Sequence, residues 1–139
     1  MKEVADKIVG LCAERGIIVH RYDAASTQSI YLRFDNGVLG SLRISDHPSK
    51  SKFKHKYEMA PTIKRRMVSF NHEGLMYVKY NINECSKFIE DLESERKRLL
   101  DKWLWFRYEH NVEKQGKKAT RKHGQWRLNK LVQGEFFYE

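Results

Sequence analysis

Tyr31 and Arg33 are spaced two apart, and so are Arg43 and Ser45 twelve residues later. An arginine fork can grip a phosphate through two parallel hydrogen bonds, and an aromatic ring beside it can stack a base. In extended chain a spacing of two puts both members of a pair on one face. The other group with chemical potential is Asp46-His47, an acid–histidine neighbour pair at the end of the same strand. Joined by Asp35 and Glu73, it would suit a metal-dependent nuclease. Ser45 lacks the strained elbow of a nucleophile, no glycine-rich phosphate loop occurs, and no Cys/His group has zinc spacing. The sequence therefore assigns no catalytic residue, no metal and no cofactor. It points to binding, with the nuclease as an alternative.

Charge placement supports an anionic ligand. The chain carries 27 Lys and Arg against 18 acids, a net +9. Residues 48–66 hold seven basic residues and one acid, and residues 114–130 hold seven and none. Those segments are +6 and +7, so the remainder is −4. Confinement to two stretches argues for polyanion contact more than for general solubility. The expected electrostatic track is Lys52, Lys54, Lys56, Arg65, Arg66, Lys118, Arg121 and Lys122. Lysine alternates with Phe53, His55 and Tyr57 over residues 52–57. As a strand this would show lysines on one side and stacking rings on the other.

These residues need a frame. Val4, Ile8, Leu11 and Cys12 share one face of a helix over 2–15, with Gly16 as its left-handed stop. Residues 17–22 read as a strand. Ser29–His47 reads as a hairpin, with Ile30, Leu32, Phe34, Leu42 and Ile44 facing the core. A two-residue Asn36-Gly37 turn would mix the faces, because a one-residue slip inverts every side chain. An odd loop over 36–40 repairs the pattern and leaves Tyr31, Arg33, Arg43 and Ser45 on the opposite face. A second hairpin pairs Val68 and Phe70 with Met76 and Val78 around His72-Glu73-Gly74. The expected fold class is α+β: an antiparallel sheet of four to five strands, an N-terminal helix and a long C-terminal helix over 84–113. Residues 1–113 form this domain and 114–139 a basic extension.

The long helix would run about 45 Å at 1.5 Å per residue, more than such a sheet covers. Leu99, Trp103 and Phe106 continue its apolar stripe, so the expectation is a homo-oligomer formed through this helix. Cys12 and Cys85 fall on apolar helix faces as reduced thiols. No apolar run approaches the roughly 18 residues of a membrane span, and the N-terminus lacks the pattern of a signal peptide. The expected location is the cytoplasm, with no membrane partner.

The strand end Arg43-Ile44-Ser45-Asp46-His47 resembles that of a type II anti-CRISPR family, short phage proteins in which a strand ends R-(I/L)-S-(D/N)-H. The order helix, strands, strand end, basic loop, strand and helix is also similar, over about residues 2–100. That family's basic stretch is N-terminal, whereas here the tail is C-terminal. The resemblance implies a phage or mobile-element inhibitor in the cytoplasm of a bacterial host. Its partner would be nucleic acid or the nucleic-acid channel of a host immune effector. The chain also resembles the phage sponges that defeat Thoeris immunity, which join a β-sheet core to C-terminal helices and form oligomers. This second resemblance implies sequestration of a signalling nucleotide.

Overall fold

A computed structural model describes residues 1–50 and 54–113, with side chains described as far as Lys102. The chain divides into two compact units, Met1–Asp91 and Leu92–Glu139. The sheet and the site belong to the first.

Helix α1 spans Lys2–Glu14 and buries Ala5, Ile8 and Cys12 on one stripe. It stops where Gly16 takes φ +68°, a conformation that costs glycine little. Six strands follow: β1 Val19–Asp23, β2 Ile30–Phe34, β3 Ser41–Ile44, β4 Tyr57–Ala60, β5 Met67–Phe70 and β6 Met76–Asn81. Helix α2 is Cys85–Glu113. Glu84 Oε1 accepts the Asn81 N–H at 2.8 Å and Asn81 Oδ1 accepts the Asn83 N–H at 2.9 Å, fixing the turn that enters α2.

The sheet order is β1-β2-β3-β4-β6-β5. An antiparallel sheet of four to five strands is corrected here to a mixed sheet of six. β4 runs parallel to both neighbours, β3 and β6, while the outer pairs are antiparallel. The error came from residues 52–60. The strand is Tyr57-Glu58-Met59-Ala60, buried at every position, and among the described residues of the expected Lys-aromatic alternation, 54–56 precede it. A strand covered on both faces shows no alternation, so its period-2 signal vanishes.

The β2–β3 hairpin has the expected odd loop, placed over residues 35–39. Ile30 faces Ile44, Leu32 faces Leu42, and Arg33 faces Ser41. Gly37 and Gly40 have φ +90° and +86°, and Asp35 and Asn36 also enter the left-handed region. Asp35 is buried, and its Oδ1 accepts the Ile18 N–H at 3.0 Å. In the second hairpin, Val68 faces Val78 and Phe70 faces Met76, with Gly74 at φ +79°.

One face of the sheet meets the helices. Phe34, Leu42, Ile44, Tyr57, Met59 and Tyr80 are buried there, as is Phe88 of α2. The Phe88 ring lies 5.2 Å from Tyr57, 5.4 Å from Tyr80 and 5.5 Å from Phe34. Cys12 and Cys85 are free buried thiols, and burial pushes the Cys12 thiol up to about 12. No helix among the described residues is long and apolar enough to cross a membrane.

Candidate nucleic-acid interface

The opposite face carries the polar residues. Strand register sets one rung across all six strands: Tyr22, Tyr31, Arg43, Glu58, Lys79 and Met67. A second rung beside it carries His20, Arg33 and Ser41. Tyr31, Arg33 and Arg43 thus share a face, and alternation along β3 carries Ser45 onto it.

That face is covered in its middle. The connection from β3 to β4 brings His55 over it, with the imidazole 5.2 Å from the Tyr31 ring. His55 Nδ1 is hydrogen-bonded to Ser41 Oγ at 3.1 Å. Burial, then the Lys54 charge, lowers the His55 pKa, so the ring is neutral at pH 7. Tyr22 extends the aromatic row, its ring 6.1 Å from Tyr31 and 63 % exposed. The row Tyr22–Tyr31–His55 is half-open to solvent. Arg33 and Lys54 beside it are exposed, and Lys56 holds its ammonium 5.4 Å from the Tyr57 ring.

Arg43 differs from Arg33. Its side chain is buried, and its guanidinium donates to His47 O at 3.0 Å, Ser45 Oγ at 3.1 Å and Ser29 Oγ at 3.4 Å. Buried charge is tolerated when hydrogen-bonded in this way. Arg43 ties the strand end down and turns the chain into the basic connection. Ser45 is likewise buried and donates to Asp46 Oδ1 at 3.2 Å. Asp46 and His47 are exposed, their Oδ1 and Nδ1 atoms 2.6 Å apart. The hydrogen bond from His47 holds the Asp46 carboxyl below its ordinary range. Asp35 is committed to Ile18, and no group of three His, Cys, Asp or Glu among the described residues could hold a metal.

Of the other track residues, Arg65 is exposed, and Arg66 Nε donates to Asp91 Oδ2 at 2.6 Å. Tyr80 Oη donates to the same oxygen at 2.6 Å, and burial raises the Tyr80 pKa. Asp91 therefore offsets one of the expected track charges. Leu99 is half-buried. Lys52, Lys118, Arg121 and Lys122 lie outside the described residues, as do the side chains of Trp103 and Phe106.

Sequence reasoning missed Glu58 and Tyr22. Glu58 is 4 % exposed in the middle of the rung, and its Oε2 accepts the Ser49 N–H at 2.8 Å. Its signal was a lone acid in a basic stretch. A cavity of about 260 Å³ opens on this side of the sheet, lined by His55, Glu58, Met67, Ser69, Tyr77 and Lys79, with Val78. Comparison with known protein families, curated proteins and solved structures finds no match for this chain.

Proposed function

We propose that this chain is a counter-defence protein of phage or mobile-element type that acts by binding. Its target is single-stranded nucleic acid, free or held by a host immune effector. The observation that carries the binding reading is the Tyr22–Tyr31–His55 row with Arg33 and Lys54 beside it. Rings in a row accept successive bases whatever their identity, and the flanking cations follow the backbone. Arg33 contacts phosphate, while Arg43 positions the strand end. The counter-defence role rests on the likeness of Arg43–His47 to the anti-CRISPR strand end.

The test is anisotropy of a labelled oligo(dT) at low salt. Binding should weaken with salt, with a slope reduced by about one for each contacting cation removed. Tyr31→Ala should cost roughly 1–3 kcal/mol of affinity, the usual value of one stacked base. Absence of binding at low salt, or wild-type affinity in Tyr31→Ala, ends this reading.

A second reading is an oligomeric sponge for a signalling nucleotide. The cavity of about 260 Å³ beside His55 favours it. Native mass spectrometry of the purified protein reports oligomer and bound nucleotide together, and a ligand-free monomer counts against it.

A further inference from the structure

Glu58 presents an unusual problem. It is almost wholly buried, on the central strand, in register between Arg43 and Lys79. Yet no basic nitrogen lies within ion-pair distance of its carboxylate among the described residues. Arg43 spends its guanidinium on His47, Ser45 and Ser29. The Ser49 N–H is the hydrogen-bond donor that reaches Glu58, and it reaches Oε2. A buried carboxylate is costly unless several donors satisfy it. Beside it, His55 Nδ1 is bonded to Ser41, while Nε2 is buried with no hydrogen-bond partner among the described residues. Both side chains line the same cavity. The other walls are the Tyr77 ring, Met67, Val78, the Lys79 stem and the Ser69 hydroxyl.

From this juxtaposition we infer that the cavity is a base pocket selective for guanine. The carboxylate of Glu58 is an acceptor with two oxygens, and it suits an edge that offers two adjacent N–H donors. Guanine presents such an edge through N1–H and its exocyclic amino group. Adenine and cytosine each offer one amino donor beside an acceptor nitrogen, which a carboxylate repels. Tyr77 and Met67 supply the apolar and stacking surface that single-strand readers use for a splayed base. A volume of about 260 Å³ falls below the roughly 300–1,000 Å³ typical of drug-sized ligands, so it fits one base rather than a dinucleotide. His55 joins the two features, with its ring against Tyr31 and its side chain in the cavity wall. A strand stacked on the tyrosines could thus deliver one base into the pocket.

This inference deepens the nucleic-acid reading and rests on it, but the tests are separate, since oligo(dT) contains no guanine. The experiment titrates GMP and AMP into the full chain and follows the amide resonances of His55–Ala60 and Tyr77–Lys79 by NMR. GMP should bind tenfold or more tighter than AMP, the discrimination usual for a bidentate base contact. Glu58→Gln replaces one acceptor oxygen with a donor, which complements adenine, so the preference should reverse. Tyr77→Ala should weaken both nucleotides and leave their ratio unchanged. Equal affinities for GMP and AMP in the wild type, or no shift at these resonances with GMP, overturn the pocket. If Glu58→Gln does not fold, the wild-type ratio and Tyr77→Ala decide. Oligo(dT) binding with equal GMP and AMP affinities leaves the stacking row standing and removes only the pocket.

Discussion

The two faces of the sheet are built from the same strands and solve burial in different ways. The helix-side face buries rings and aliphatic chains, with Phe88 set among Phe34, Tyr57 and Tyr80. The opposite face buries Arg43, Ser45 and Glu58, with hydrogen bonds to His47 and Ser49 of the connection that follows β3. On the first face apolar area removed from water stabilises the fold, at about 25 cal/mol per Å². On the second, hydrogen bonds offset the cost of desolvating charge, with little net gain. The first can therefore be tight and indifferent to ligands, while the second leaves a polar atom, His55 Nε2, buried with no hydrogen-bond partner among the described residues.

Substitutions that break each face measure the contrast. The largest effect is expected from Phe88→Ala, which empties the centre of the helix-side face. It should cost about 3–5 kcal/mol in denaturant unfolding. Arg43→Met removes the guanidinium that holds the strand end and should cost about 2 kcal/mol, the scale of a charged hydrogen-bond group. An effect within about 0.5 kcal/mol would mark Arg43 as an ordinary surface residue and erase the contrast. Tyr80→Phe deletes the donor to Asp91 and should cost about 1–2 kcal/mol, with Arg66 left as that oxygen's remaining side-chain donor.

The smallest effect is a pH dependence. Burial lowers the His55 pKa below 6.5, so the unfolded chain binds the proton more readily. The stability tied to neutral His55 is complete above 6.5 and declines as pH falls below it. His55→Phe should flatten the fall of melting temperature between pH 7 and 5, and an unchanged slope would mean that the imidazole is not buried in solution.

Much of this fold could be read from residue order. The helix ending at Gly16, both hairpins, the faces of β2 and β3 and the start of α2 all carry local periodicity or turn chemistry. Their signals come from residues close in sequence. β4 could not be read this way. Tyr57-Glu58-Met59-Ala60 looks like a fragment of a basic loop, and only its non-local partners β3 and β6 make it a strand. The candidate site follows the same rule. Tyr31 and Arg33 were visible in the β2 alternation. Tyr22 and Glu58 joined them only once the register across six strands was known. Arg43 was read as an open phosphate contact because alternation shows which face a side chain takes, not what covers that face.

The parallel centre also governs how this chain can assemble. β1 to β3 and the β5–β6 hairpin are local and can form early. β4 completes its pairing only when both neighbours exist, which means closing the connection over residues 45–56 and the one over 61–75 that contains β5. Loop closure of this kind must precede the contacts that repay it, and it slows folding. On a ribosome the strand bearing Glu58 would wait until Asn81 has emerged to complete β6. Until then Tyr57 and Met59 have only half their final surroundings. The strand that carries the buried acid thus gains its second neighbour only with β6, and the cavity is complete only when the sheet is.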